Sequence, residues 1–152
     1  MSSTRPIVVY IAIPIKHCKD SYVIQSALEA EGMIVKNPCN LIEPGFPEGK
    51  ISKFYADSCY EMIESADILV LYSDYYGRDC SAEVGYAIKS RKPVFPFSIA
   101  RKESENISAD FMIHAKVEPL SDSFEELIRR ISSFFIKRDS KILENSAVHN
   151  LL

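Results

Sequence analysis

Two apolar runs of strand length constrain this chain most: Ile7-Val-Val-Tyr-Ile-Ala-Ile13, and the run from Ile68 to Tyr72 within residues 67–73. A strand that is apolar at every residue, not at every second one, suits the middle of a parallel sheet covered on both faces. Around these runs the spacing turns helical. Residues 20–32 carry Val23, Ile24, Leu28 and Ala30, with Gly32 as a stop signal. Residues 51–66 place Phe54, Cys59, Met62, Ile63 and Ala66 on one side.

The remaining segments complete an alternating pattern. Residues 33–36 read as a second strand, 82–91 as a helix, 94–99 as a fourth strand and 117–120 as a weak fifth. Residues 37–50, with Pro38, Pro44, Gly45, Pro47 and Gly49, form a loop long enough to serve a function. Ser123-x-x-Glu126 is a capping-box pattern, and it opens a helix bearing Phe124, Leu127, Ile128, Ile131, Phe134 and Phe135. Residues 140–152 are less periodic and read as a short helix or C-terminal tail that packs on a neighbour. The expected fold is α/β: a flavodoxin-like three-layer sandwich with a five-stranded parallel sheet, order 2-1-3-4-5, and helices on both faces.

A length of 152 residues fits a single domain, residues 1–152. The net charge of -3 implies no basic face, which argues against nucleic acid as a partner. No apolar run approaches the roughly 18 residues of a membrane span, and Met1-Ser-Ser-Thr-Arg-Pro6 lacks the plan of a signal peptide, so the expected compartment is the cytosol. Cys18, Cys39, Cys59 and Cys80 are widely spaced, and His17, His114 and His149 do not cluster with them. That pattern favours reduced, mostly buried thiols over a metal site or a disulfide framework.

In a sheet of this order the switch point lies between the first and third strands, where the loop after Ile13 meets the loop holding Asp74 to Asp79. That second loop leads into a helix with Glu83 in its expected first turn, a position that favours a carboxylate. No Gly-x-Gly-x-x-Gly follows the first strand, which disfavours a dinucleotide-binding domain.

Four blocks of the chain resemble the nucleoside 2-deoxyribosyltransferase family. They are Tyr10-Ile-Ala-Ile-Pro14, then Ile63-x-x-Ala66-Asp67 before an apolar strand, then Gly77-Arg-Asp-Cys-Ser-Ala-Glu83-Val-Gly-Tyr-Ala87 with Lys92-Pro93-Val94, and finally Asp110-Phe-Met-Ile-His114 with Val117 and Asp122-Ser-Phe124. They stand in family order over residues 7–135. The resemblance implies chemistry at the bond joining a nucleobase to C1′ of its sugar, without metal or organic cofactor. It implies Glu83 as nucleophile, Tyr10 beside the sugar and Asp79 at the sugar's 5′ end. Asp110 would be presented to a neighbouring subunit, so a homodimer or larger homo-oligomer with shared sites follows. A carboxylate below the ring stabilises oxocarbenium character and can capture it covalently.

Departures from the family pattern matter too. Cys59 stands where the family has an Asp or Asn that handles the base, and Asp57 is about 200° away around an ideal helix. A missing general acid costs roughly 10²–10⁴-fold in rate. Ile13 replaces a small residue before Pro14 and would narrow the pocket floor. Gly77 and Asp110 replace serines of the monophosphate-specific members, and only Arg78 favours phosphate. The expected ligand is therefore a nucleoside, bound through Ile13, Pro14, Cys59, Gly77, Arg78, Asp79 and Asp110, with Glu83 and Tyr10 catalytic. A binding module without turnover and a 5′-monophosphate N-glycosidase remain the alternatives. Each residue also has a plain structural role open to it: Glu83 as a solvated helix residue, Tyr10 and Cys59 as core, Asp79 and Asp110 as helix caps, His114 as packing.

Overall fold

The computed structural model describes residues 5–42, 53–75, 77–100 and 116–149. Strands β1 (Val8–Ala12), β2 (Ile34–Lys36), β3 (Ile68–Tyr72) and β4 (Val94–Phe97) alternate with helices α1 (Cys18–Ala30), α2 (Lys53–Ser65) and α3 (Arg78–Lys89); α4 (Phe124–His149) closes the chain. The strands form a four-stranded sheet in the order β2-β1-β3-β4. All three pairings are parallel, with Tyr10 opposite Leu69 and Val70 opposite Phe95.

The expected fifth strand is a correction. Residues 117–120 do not form it; the segment runs beside β4 and makes only one isolated parallel bridge, Phe97 to Ser121, just past its end. Glu118 N–H donates to Val94 O at 2.8 Å and Ser121 N–H to Pro96 O at 3.0 Å. The two donors lie three residues apart while their acceptors on β4 lie two apart, so one extra residue breaks the every-second-residue alternation that a continuous ladder needs.

Side-chain alternation along the central strands divides the core. Val9, Ile11, Ile68, Val70, Phe95 and Phe97 point to one face, where Ile24 and Leu28 of α1 and Leu127 and Ile131 of α4 cover them. Tyr10, Ala12, Leu69, Leu71 and Val94 point to the other, under Cys59 and Ile63 of α2 and Cys80, Val84 and Ala87 of α3. Three layers result. Phe134 and Phe135 pack on the first cluster, Phe134 edge-on to Phe95 with centroids 5.9 Å apart.

Helix ends follow local chemistry. Gly32, at φ 78°, ends α1 in a paired motif: its N–H bonds Glu29 O and the N–H of Met33 bonds Leu28 O. At the start of α4, Glu126 N–H donates to Ser123 Oγ at 3.2 Å, while the Glu126 carboxylate accepts from Asp122 N–H. The helix then runs unbroken through His149, so residues 140–149 extend it instead of forming a separate tail.

The cysteine expectation holds in part. Cys59 and Cys80 are free and buried, but Cys18 and Cys39 are joined by a disulfide. Their separation of 21 residues carries no local signal; they meet because parallel pairing of β1 and β2 sets the start of α1 beside the turn after β2. That turn, Pro38–Leu41, is capped by Asn37, whose Oδ1 accepts from Cys39 N–H at 3.0 Å. Loop closure of this length gives about 3 kcal/mol. Cys39→Ser is expected to lower the unfolding free energy read from urea denaturation by that amount relative to oxidised wild type, and reductant is expected to lower the midpoint of the wild type alone. An unchanged wild-type midpoint with and without reductant would contradict the linkage.

Candidate active site

The period of β1 decides where the site forms. Tyr10 faces the α2 and α3 layer because its neighbours Val9 and Ile11 face the other. It is fully buried, and its hydroxyl donates to Glu83 Oε1 at 2.7 Å. On α3, Cys80, Val84 and Ala87 seat the helix on the sheet. Asp79 and Glu83, one turn apart, line the adjoining cavity. On α2, Cys59 and Ile63 are the buried residues, and Tyr55 lies one turn before Cys59.

These elements enclose a cavity of about 200 Å³ lined by Ile13, Pro14, Ile15, Tyr55, Ala56, Cys59, Tyr60, Asp79, Ala82 and Glu83. It lies beyond the C-terminal end of β1, the crevice position expected of such sheets. The loops on either side of the switch point meet directly: His17 stacks on Tyr75 with ring centroids 4.2 Å apart. Tyr72 O–H donates to Asp20 Oδ2 at 2.6 Å, and Asp74 accepts from the N–H of Ile99 at 2.7 Å and from the Ser98 hydroxyl. A larger cleft, about 570 Å³, opens at the opposite, N-terminal ends of the strands between Arg5, Gly32, Asp67 and Phe135. There Arg5 and Asp67 satisfy each other in a two-point ion pair.

Glu83 is the most perturbed acid of the site. Its Oε2 is buried and has no hydrogen-bond partner among the described residues. Burial pushes the carboxyl up to about 8; the bond from Tyr10 pulls the other way, and the charge of Asp79 adds to the rise. This revises the expectation that helix position favours the carboxylate. The helix begins at Arg78, not at residue 82, so Glu83 sits in the second turn, beyond the reach of the terminal dipole. Asp79 occupies the first turn, and Gly77 is the N-cap, without a side-chain cap.

Around Glu83 the other protons are tightly held. Burial above all, then the charge of Glu83, raises the Tyr10 hydroxyl far above its ordinary range. Tyr55 is raised by burial and by Cys59 and Glu83. Burial raises the Cys59 thiol despite its hydrogen bonds to Tyr10 and Tyr55. Cys80, buried beneath α3, is pushed up to about 12 by burial and by Glu83.

Thus the cavity brings together Glu83, Ile13, Pro14, Cys59 and Asp79, with Tyr10 behind Glu83. Gly77 and Arg78 begin α3 outside its lining, and Arg78 is exposed. Asp110 and His114 lie outside the described residues, as do residues 43–52 of the long loop. Asp57 is exposed on a regular α2, as the helical geometry requires. Tyr55 and Tyr60 are lining residues that the sequence reading missed. The available signal was the i, i+4 step from Tyr55 to Cys59. Among the described residues no cluster of three or more His, Cys, Asp or Glu could hold a metal, and no helix is long and apolar enough to cross a membrane.

No family model and no curated protein matches the sequence. Solved structures do match. A 2-deoxyribosyltransferase from Bacillus psychrosaccharolyticus superposes with a TM-score of 0.63 at 21% identity, over 79% of this chain and 89% of that one. The CMP N-glycosidase BcmB of Clostridium botulinum gives 0.51 at 14%, over 82% and 98%. A molybdenum cofactor binding protein from Rippkaea orientalis gives 0.56 at 18%, over 88% and 99%. The chain therefore has the fold of solved structures that include a 2-deoxyribosyltransferase and a CMP N-glycosidase, in line with the family its motifs resemble.

Proposed function

We propose that this protein cleaves or transfers the N-glycosidic bond of a nucleoside by a retaining mechanism, with Glu83 as nucleophile. The observation that carries this reading is the Glu83 carboxyl itself: one oxygen is fixed by Tyr10 and the other has no partner among the described residues, at the wall of a cavity over the switch point. Tyr10 orients the carboxyl and stabilises its anion through the hydrogen bond. As the bond to the base lengthens, positive charge grows at C1′, and the ionised form of Glu83 is stabilised in step with it. Attack gives a glycosyl-enzyme, which water or a second base resolves.

Asp79 stands at the exposed end of the cavity and is assigned to a sugar hydroxyl. A 5′-monophosphate is disfavoured because none of the described lining residues is Lys, Arg or His. The reading carries with it a homo-oligomer in which Asp110 completes a neighbour's pocket.

A binding module without turnover is the second reading. A carboxyl that is mostly neutral at pH 7, and Cys59 in place of a carboxylate, both favour it. The fold is shared by a molybdenum cofactor binding protein as well as by enzymes. Chromatographic detection of free base from ribo- and deoxynucleosides, with and without a second base, separates the readings. Release that depends on Glu83 supports the enzyme, and new nucleoside made with the added base makes it a transferase. Ligand-induced thermal shift with no release supports the binding module.

A further inference from the structure

Resting on the glycosidic reading above, we propose that the preferred substrate is a nucleoside whose base carries a fixed positive charge through alkylation of a ring nitrogen. Two features of the cavity point there. The first is its lining: Tyr55 and Tyr60 from α2 line it together with Asp79 and Glu83 from α3, and no cationic side chain stands among the described lining residues. Aromatic faces combined with carboxyls are the usual means of recognising an alkylated nitrogen cation.

The second feature is the wall that would meet a departing base. Its proton-bearing groups are the Tyr55 hydroxyl and the Cys59 thiol, bonded to each other, with the Tyr10 hydroxyl also on Cys59. Burial and the neighbouring carboxyls hold these protons, so the groups donate hydrogen bonds but make poor general acids. Glu83 cannot protonate the base while serving as the anionic nucleophile. An ordinary base, which departs as an anion unless protonated, loses the roughly 10²–10⁴-fold that an acid supplies. An alkylated base does not need it.

The reaction balances without a co-reactant other than water. The C1′–N bond breaks with both electrons passing to the ring nitrogen, which neutralises the base, and a Glu83 oxygen bonds to C1′. Water then attacks C1′; the C1′–O bond to Glu83 breaks, its electron pair returns to the carboxylate, and the water's proton passes to solvent. A cationic nucleoside and water thus give free sugar, a neutral base and one proton.

The test compares guanosine with N7-methylguanosine, in ribo and 2′-deoxyribo forms, as substrates of wild type, Glu83→Ala, Tyr55→Phe and Tyr55→Leu. Free base is measured chromatographically with spontaneous release subtracted, and proton release by pH-stat. Expected are a kcat/KM for the methylated substrate at least about 100-fold above its parent, one proton per turnover at pH 6, where N1 of the methylated base keeps its proton, and loss of both in Glu83→Ala. Tyr55→Phe keeps the preference, whereas Tyr55→Leu, lacking the aromatic face, raises KM for the methylated substrate by roughly tenfold. Tyr60→Leu at the rim of the same wall serves if Tyr55→Leu does not fold. Glu83-dependent release from guanosine as fast as from its methylated form overturns the charge preference and leaves the glycosidic reading standing. No Glu83-dependent release from either, by a protein of unchanged circular dichroism, overturns both.

Discussion

Base release by the wild-type protein is expected to rise with pH and level off above about pH 8, and Glu83→Ala is expected to lower it by on the order of 10³-fold or more. The pH dependence follows from which form of Glu83 reacts. The nucleophile is the carboxylate, and burial keeps the free protein's carboxyl protonated until about pH 8. The kcat/KM profile reports the free enzyme, so its rising limb has its midpoint near that value. In the complex, positive charge on the substrate favours the anion, so the kcat profile shifts to lower pH. Tyr10→Phe removes the hydrogen bond that opposes the burial effect. Its kcat/KM midpoint is expected to move above that of wild type, with a lower rate at pH 7. A flat profile from pH 6 to 9, or a Tyr10→Phe midpoint below that of wild type, would count against the assignment.

Glu83→Gln is expected to gain stability relative to wild type as pH rises, by a few kcal/mol between pH 5 and 9. The sign follows from proton binding. The folded-state value of about 8 lies above the ordinary value of 4.5 for an unhindered glutamate. Below pH 4.5 both states hold the proton. Between about 4.5 and 8 the unfolded chain ionises while the folded one stays protonated, so the wild type loses about 1.4 kcal/mol per pH unit. Above pH 8 the loss is complete. Glutamine does not titrate and escapes this slope. It keeps the carbonyl that accepts from Tyr10 and leaves one buried amide without a partner, a cost that does not vary with pH. The measurable quantity is therefore the change in the stability difference with pH, taken from urea unfolding at several pH values. A constant difference would show that Glu83 ionises normally in the folded protein.

Parts of this site were legible in the sequence for identifiable reasons. The continuous apolar run of β1 and the α/β switch point set the loop after Ile13 beside the loop leading to Glu83, the family resemblance points to Tyr10, and Tyr10 and Glu83 do meet. Other features left weaker traces. The stretch from Arg78 to Ser81 looks polar and loop-like, yet the residues that anchor α3 include Cys80, a small buried residue easily taken for part of a loop. Starting the helix too late put Glu83 in the wrong turn and gave its carboxyl the wrong tendency.

The apolar side read for α2 runs through Phe54, which is 75% exposed, and not through Tyr55, whose place at the cavity depends on the tertiary position of α2. The disulfide between Cys18 and Cys39 depends on the pairing of β1 with β2, which no local spacing encodes. In the fifth segment Val117 and Leu120 suggest a strand, while an extra residue between the donors Glu118 and Ser121 breaks the ladder, and one bridge is the outcome. A pocket built from long-range packing is thus less visible than the elements that carry it.

Stability and chemistry are opposed at Glu83. The same burial that destabilises the ionised folded state supplies a poorly solvated, reactive carboxylate once substrate charge offsets the cost. The most direct measurement is mass spectrometry of the protein quenched in acid during turnover of N7-methylguanosine, with the peptide spanning residues 79–89 sequenced by fragmentation. The account predicts a fraction of that peptide heavier by one sugar residue, with the added mass on Glu83 and absent in Glu83→Ala. Base release in solution with no sugar ever bound to Glu83, or with the sugar on another residue, would contradict it.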